Sequence, residues 1–112
     1  STATGRKVAE AAARNLVPTV LELGGKSPAI WLPDADLAAA ARSVMAGKLF
    51  SAGQTCVAPD YLMVPRPRLR DAVAALGAAA RALHPRPEGG DYASLLREGA
   101  RERLLGLLEG EE

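Results

Sequence analysis

The sequence predicts an α/β protein, and three observations support this fold class. Along several segments, apolar residues recur at every third or fourth position, which is typical of helices with one buried face. Shorter runs between glycines and prolines alternate between apolar and polar residues, which is typical of strands. In chain order, these segments predict helix, strand, strand, helix, cysteine-bearing loop, strand, helix and helix. The strands are few and short, so we expect a poor sheet unless other strands flank them.

The first predicted element is a helix over residues 3–16. Its apolar side chains recur at every fourth position, at Val8, Ala12 and Leu16. Thr2 or Thr4 is the expected N-cap, because a hydroxyl oxygen can accept a hydrogen bond from the first turn. Pro18 ends the helix, since proline has no N–H to continue it.

Two strands are predicted after this helix. Residues 18–24 alternate, so that Glu22 faces away from the leucines on either side of it, and two glycines end the strand. Residues 29–32 form a second short strand, and we expect its Trp31 to lie in the core.

The second half of the chain is predicted to hold three helices and one strand. Asp34 is the expected N-cap of the first helix, whose apolar stripe is Leu37, Ala41, Val44, Met45 and Leu49. Residues 61–64 form the strand. The last two helices cover residues 69–83 and 94–109, and the prolines and glycines of residues 84–91 predict a loop between them.

Composition excludes several classes of function. The net charge of +1 gives no electrostatic reason to expect binding to nucleic acid or to an anionic membrane. No apolar run approaches the ~18 residues that cross a bilayer, and no signal peptide is visible. A single cysteine forms no internal disulfide and, with one histidine, makes no zinc site. We therefore expect a soluble, cytoplasmic protein without a metal centre.

The start of the chain carries a further expectation. The sequence begins with Ser1 rather than methionine, and a helical pattern follows at once, with no room for a leading strand. We therefore expect these 112 residues to be a piece of a longer protein.

Several polar residues are expected to have no catalytic role. His84 lies beside proline, far along the chain from the cysteine, and is predicted to be a loop residue. Five arginines are expected on solvated faces: Arg66, Arg68, Arg70, Arg101 and Arg103.

Glu22 lies in the first of two glycine-bearing motifs, LELGGKSP over residues 21–28. Glycines directly after a carboxylate let another group approach the backbone closely, as a flat ring or a reactive carbon would require. A carboxylate in this position can take a proton from water. The alternative is a solvent-facing glutamate on an edge strand that ends in a Gly-Gly turn.

Cys56 lies in the second motif, FSAGQTCVAP over residues 50–59, 34 positions after Glu22. A free thiol has a pKa of ~8.5, so it needs an activating environment to act as a nucleophile. A short helical turn that begins near Gly53 would offer N–H groups to a thiolate or to an oxyanion. The alternative is a buried and inert cysteine.

A third segment, STATGR over residues 1–6, opens the first helix. Helix N-termini bind phosphate through unpaired N–H groups and the helix dipole. Taken alone, this segment is an ordinary helix cap.

Together the three segments, in this order and at these distances, resemble the active-site signatures of the aldehyde dehydrogenase superfamily. The sequence around Cys56 looks most like the class 3 and coniferyl-aldehyde dehydrogenase branch, whose members oxidise aromatic and medium-chain aldehydes. The resemblance implies an α/β fragment of the aldehyde dehydrogenase fold. Residues 1–25 would end the Rossmann-like NAD(P)-binding domain, and residues 26–112 would begin the catalytic domain.

The resemblance also implies the chemistry and the site residues. Cys56 would attack the aldehyde, hydride would pass to NAD or NADP, and Glu22 would activate the water that hydrolyses the resulting thioester. The residues expected to contact the cofactor are Ser1, Gly5, Leu23 and Gly24. The parent protein would be a homo-oligomer, a dimer, that takes a small-molecule aldehyde.

Much of the family's machinery is absent from these 112 residues, so we expect the chain alone not to oxidise aldehydes. One alternative is therefore a non-catalytic truncated remnant or association module with inherited motifs. A second alternative is an unrelated thiol hydrolase that uses Cys56 with His84.

Overall fold

The computed structural model describes residues 1–86, 88–90 and 92–109 of the chain. It contains four α-helices and two β-strands among the described residues. In chain order they are α1 (Thr2–Arg14), β1 (Ser27–Ile30), α2 (Leu37–Leu49), β2 (Pro59–Met63), α3 (Leu69–Leu83) and α4 (Ala100–Gly106). Single turns of 3-10 helix occupy Phe50–Gly53 and Arg66–Arg68. The predicted α/β class is confirmed.

Strands β1 and β2 form a parallel pair, with α2 as the connection between them. Ser27 pairs with Pro59 and Ile30 with Met63, with one irregularity in register after Ser27. The ladder continues beyond β1, because the Trp31 N–H donates to the Met63 carbonyl oxygen over 2.9 Å. A parallel pair needs a crossover of a dozen or more residues, and the segment that contains α2 supplies it.

Helix α1 confirms the helix predicted at the start of the chain, but its N-cap prediction was wrong. The Ser1 hydroxyl oxygen accepts the hydrogen bond from the Thr4 N–H, at 3.4 Å. Thr2 and Thr4 lie inside the first turn, where their own N–H groups need an acceptor. The helix ends at Arg14, earlier than predicted, because Leu16 already has the left-handed φ of 55°.

The strand predicted over residues 18–24 is not found. These residues have no regular secondary structure and join no ladder. Alternation of side chains is a property of any extended chain, whereas a strand also needs a neighbour to exchange hydrogen bonds with. Among the described residues the sheet has two strands, and neither pairs with this segment.

Helix α2 is capped by Asp36, and the prediction of Asp34 as its cap was wrong. One carboxylate oxygen of Asp36 accepts hydrogen bonds from the N–H groups of Ala38 and Ala39, at 2.9 and 3.2 Å. Asp34 instead lies in the turn that Ala35 N–H closes onto the Leu32 carbonyl. Two aspartates separated by one residue both satisfy the sequence rule for a cap.

The core lies where α2 and α3 pack on each other and on the end of β1. Trp31, Ala41 and Ala72 are buried there, and the alanines let the two helix backbones approach closely. The prediction that Trp31 belongs to the core is confirmed.

Arg68 closes this unit and is not simply a solvated arginine. Its guanidinium donates to the carbonyl oxygens of Pro33 and Ala35, at 2.6 and 2.9 Å. It thereby holds the turn before α2 against the start of α3. The sequence pattern misses this role, because the two acceptors are backbone groups more than 30 residues away.

Helix α4 begins at Ala100, so the helix predicted from residue 94 was wrong over its first six residues. Gly99 precedes it with a left-handed φ of 74°. Residues 94–96 are instead irregular, and a side chain of the cysteine loop binds their backbone. The loop predicted at 84–91 is found in part, since Pro87 and Asp91 lie outside the described residues.

Large apolar side chains remain uncovered over much of the described chain. Leu16 and Val20 are each 92% exposed, and Leu107 and Leu108 are also exposed. The radius of gyration is 17.9 Å, whereas a compact domain of this length would have about 13 Å. The described residues therefore form an open structure with a small core. None of their helices is long and apolar enough to cross a bilayer.

Candidate active site

The parallel pair places the two motifs at the same edge of the sheet. Parallel strands begin at a common edge, and the paired residues Ser27 and Pro59 are the first residues of β1 and β2. Glu22 and Cys56 lie shortly before these two starts. The glutamate motif and the cysteine motif therefore emerge side by side.

Gly25 is in direct contact with the cysteine loop. A Cβ atom built on Gly25 would lie 2.6 Å from the Cys56 carbonyl oxygen, which is closer than real Cβ atoms approach any atom. Only glycine fits this contact without a shift of backbone. This contact therefore explains why the second glycine of the glutamate motif is required.

An ion pair links the glutamate motif to the residue that follows the cysteine motif. Lys26 Nζ lies 2.5 Å from an Asp60 carboxylate oxygen, and the Lys26 side chain is 79% exposed. Exposed pairs of this kind contribute about 0–1 kcal/mol to stability. The pair orients the two chain segments but does little to hold the fold together.

Cys56 is exposed, so the buried and inert cysteine considered from the sequence is not what the structure contains. It lies in a turn that the Ala58 N–H closes onto the Thr55 carbonyl oxygen at 3.2 Å. The helical turn expected to begin near Gly53 is not found; the 3-10 turn ends there instead. A nucleophile has to be reachable by a carbonyl carbon, and this thiol is.

The turn before Cys56 has an unusual backbone. Ser51, Ala52 and Gly53 follow one another with φ values of 51°, 56° and 73°. The left-handed conformation costs a non-glycine residue roughly 1–2 kcal/mol. Strain of this kind persists only where neighbouring contacts hold it, and it is common beside functional groups.

Glu22 lies in the irregular segment between α1 and β1 and is exposed to solvent. Its neighbour Leu23 packs against α1, where a Cβ on Gly5 would lie 2.7 Å from Leu23 Cδ2. Gly5 is the buried residue of α1. This contact fixes the chain one residue after the carboxylate.

The start of α1 borders a groove of about 560 Å³ whose charged and polar lining residues are Ser1, Arg97, Glu98 and Arg103. The groove contains the cationic side chains and the helix N-terminus that phosphate groups prefer. This end of α1 therefore carries groups that attract an anion, and the Glu98 carboxylate beside them opposes one. The sequence offered no pattern that connects Arg97 to Ser1, and Arg103 was expected merely to face solvent.

Another groove lies away from both motifs. It measures about 580 Å³ and runs between α2 and α3, with Leu37, Ala75 and Leu83 in its lining. None of the residues that line it belongs to the predicted site. Apart from Arg42 its lining is apolar, and it contains no carboxylate, imidazole, hydroxyl or thiol for acid, base or nucleophilic chemistry.

His84 is placed beside Tyr92, with a distance of 4.5 Å between the ring centroids. It shares a separate groove with Leu49 and Ala80. Among the described residues no hydrogen bond joins His84 to Cys56, and no cluster of three side chains could hold a metal ion. A thiol hydrolase built on Cys56 and His84 receives no support from these contacts.

The profile of the aldehyde dehydrogenase family matches residues 1–112. A relative in Pseudomonas aeruginosa, named probable coniferyl aldehyde dehydrogenase, is 42% identical over 97% of this chain and 23% of its own length. The dog protein named aldehyde dehydrogenase, dimeric NADP-preferring, is 36% identical over the whole chain and 25% of its own length.

Solved structures agree with these relatives. The substrate-bound state of Staphylococcus aureus AldH superposes with a TM-score of 0.84 at 37% identity, over 97% of this chain and 24% of that one. The Mycobacterium tuberculosis aldehyde dehydrogenase complexed with NAD+ gives 0.81 at 37% identity, over 97% of this chain and 23% of that one. The chain spans about a quarter of the length of the relatives it matches. Both the resemblance and the predicted fold are confirmed: this chain belongs to the aldehyde dehydrogenase family.

Proposed function

We propose that these residues supply the nucleophile and the general base of an NAD(P)-dependent aldehyde dehydrogenase. The observation that carries the proposal is the contact between Gly25 and the Cys56 carbonyl, which brings the two motifs together. A carboxylate and an exposed thiol at one edge are the groups that thioester formation and hydrolysis require.

The reaction begins at the Cys56 sulfur. Its thiolate attacks the carbonyl carbon of the aldehyde, and the carbonyl oxygen becomes an oxyanion that backbone N–H groups of the turn can stabilise. Bound NAD(P)+ supplies the acceptor for the hydride that leaves this carbon, and a thioester on Cys56 remains. Glu22 then takes a proton from water, the water attacks the thioester, and the acid leaves as the thiolate is restored.

The cofactor is assigned to the end of the chain that includes α1. Its phosphates would lie at the N-terminus of α1, near Ser1, with Arg97 and Arg103 as counter-charges. Gly5 has no side chain, so it would let the cofactor approach this end of the helix closely. Leu23 and Gly24 would lie near the nicotinamide ring. The cofactor is NAD or NADP, since one relative is named NADP-preferring and one similar structure is a complex with NAD+.

Substrate and assembly follow from the relatives. The substrate is proposed to be an aromatic or medium-chain aldehyde, because similar chains are named coniferyl aldehyde dehydrogenases. The complete protein is proposed to be a cytoplasmic homodimer, since one relative is named as dimeric.

The division of the chain is also a proposal. Residues 1–25 are assigned to the cofactor domain and residues 26–112 to the catalytic domain. The packing supports this division, because Leu23 packs on α1 while β1, α2, β2 and α3 pack among themselves.

The test is a comparison of variants in the complete gene product. Cys56→Ser is expected to abolish both NAD(P)H formation and acid release with benzaldehyde. Glu22→Gln is expected to keep the first turnover and to slow the steady state, so that NAD(P)H appears as a burst. A full steady-state rate in Glu22→Gln would remove Glu22 from the mechanism.

A non-catalytic remnant is the second candidate, and the exposed apolar side chains favour it for these 112 residues taken alone. The isolated chain is expected to form no NAD(P)H from benzaldehyde. Cooperative unfolding of the isolated chain would count against a remnant, whereas molten behaviour would support one.

A further inference from the structure

Gln54 lies two residues before Cys56 and uses all parts of its side-chain amide. Its Nε2 donates to the carbonyl oxygens of Ser51 and Ser94, at 2.9 and 3.1 Å. Its Oε1 accepts from the Leu96 N–H at 3.0 Å. Two donors and one acceptor are thus matched to three backbone groups, which only an amide of this length can do.

These hydrogen bonds join parts of the chain that are far apart in sequence. Ser51 belongs to the left-handed turn before the cysteine, while Ser94 and Leu96 lie 40 and 42 residues after Gln54. The residue after Leu96 is Arg97, which borders the groove at the start of α1. Gln54 is therefore the described side chain that connects the cysteine loop to this groove.

The left-handed turn makes such a connection necessary. Ser51 and Ala52 hold a conformation that a free chain would leave, and the Ser51 carbonyl is held by both the backbone N–H and the side chain of Gln54. Loss of the side chain leaves one hydrogen bond to keep the turn. The loop then gains freedom at the residues that lead to the nucleophile.

We propose that Gln54 is a positioning residue for Cys56, which locks the strained turn and ties it to the segment that leads into the cofactor groove. The proposal deepens the function given above and rests on it. Gln54 does not touch the reacting atoms. It acts by keeping the Cys56 thiol and the residues around Arg97 in one fixed arrangement.

The contrast between three substitutions tests this role in the complete gene product. Gln54→Met keeps the length of the side chain and loses all three hydrogen bonds. Gln54→Glu keeps an acceptor for Leu96 but places a carboxylate against two carbonyl oxygens. Asn15→Ala is the matched control, because Asn15 also donates a side-chain hydrogen bond to a carbonyl, that of Ala11, within α1.

Four quantities are measured: kcat, the labelling of Cys56, hydrogen exchange at Leu96 and the melting temperature. In Gln54→Met and Gln54→Glu, we expect kcat to fall by about tenfold or more, since a misplaced reacting atom costs up to ~100-fold. The rate at which iodoacetamide labels Cys56 should change at least about threefold, because a loosened loop alters the surroundings of the thiol. In Gln54→Met, the Leu96 amide should exchange its hydrogen at least about tenfold faster. Asn15→Ala should change none of these, and the melting temperatures should move no further than in this control.

The outcomes separate the positioning role from the proposed function. Unchanged exchange at Leu96 in Gln54→Met would overturn the inference, and so would faster exchange with unchanged Cys56 labelling. A fall in kcat matched by a large fall in melting temperature would show a merely structural residue. A wild-type protein that does not oxidise aldehydes would end the proposed function alone, because exchange and labelling are measured without aldehyde or cofactor.

Discussion

Replacement of Gly25 by alanine tests whether the contact between the two motifs sets the position of the nucleophile. The new Cβ would lie 2.6 Å from the Cys56 carbonyl oxygen, and ordinary van der Waals contact begins at 3.4 Å. The backbone at Cys56 or at Gly25 must therefore move by about 0.8 Å. Neither group is the end of a flexible side chain, so rotation cannot relieve the conflict.

A shift of this size has different consequences for catalysis and for stability. Overpacking by one methyl group typically costs about 1–3 kcal/mol, and the exposed loop at Cys56 places this site near the lower end. A reacting atom misplaced by ~1 Å can cost about 100-fold in rate. We therefore expect kcat to fall by roughly 30- to 100-fold in Gly25→Ala, with a loss of about 1 kcal/mol in the free energy of unfolding.

The assay is steady-state NAD(P)H formation in the complete gene product, with urea unfolding of the same samples. Gly106→Ala is the matched control, since a Cβ there meets no atom within 4 Å and the residue has no positive φ. It should leave kcat unchanged. If Gly25→Ala keeps more than about half of the wild-type kcat, the contact does not position Cys56 and the reasoning fails.

Two further predictions concern α1 and α2. In Gly5→Ala the new Cβ would lie 2.7 Å from Leu23 Cδ2. Because Cδ2 is the end of a flexible side chain, Leu23 is expected to rotate away from its position. We therefore expect the KM for NAD(P)+ to rise about three- to tenfold, with a smaller change in kcat. An unchanged cofactor KM would refute the placement of Leu23 beside the nicotinamide. Asp36→Ala removes the cap of α2 and should cost about 1 kcal/mol in urea unfolding, whereas Asp34→Ala should cost little; the reverse order would mean that the cap is misassigned.

The helices and the motifs could be predicted from the sequence because their signals are local. The periodicity behind α1, α2 and α3 lies within a few turns of each helix, and the motifs around Glu22 and Cys56 are continuous. Each of these features is carried by neighbouring residues alone.

The features that could not be predicted depend on residues far apart in sequence. The segment 18–24 alternates like a strand but has no partner among the described residues. Residues 94–99 have helical spacing, yet Gln54 binds the backbone of Ser94 and Leu96, and Gly99 turns the chain left-handed before α4. The approach of Gly25 to Cys56 likewise spans 31 positions. A periodic pattern carries no information about such contacts.

Because β1 pairs with β2, the distance between the two motifs does not depend on the number of residues between them. Ser27 opposite Pro59 sets how far apart the two motifs stand, whatever the path of the intervening residues. Added or deleted residues in the turn before α2 would alter the count between Glu22 and Cys56 without altering their distance. A slip of one residue between the strands, by contrast, would move the cysteine loop by about 3.3 Å. Evolution is therefore free to vary the crossover, while the strand register is the part of this segment it has to preserve.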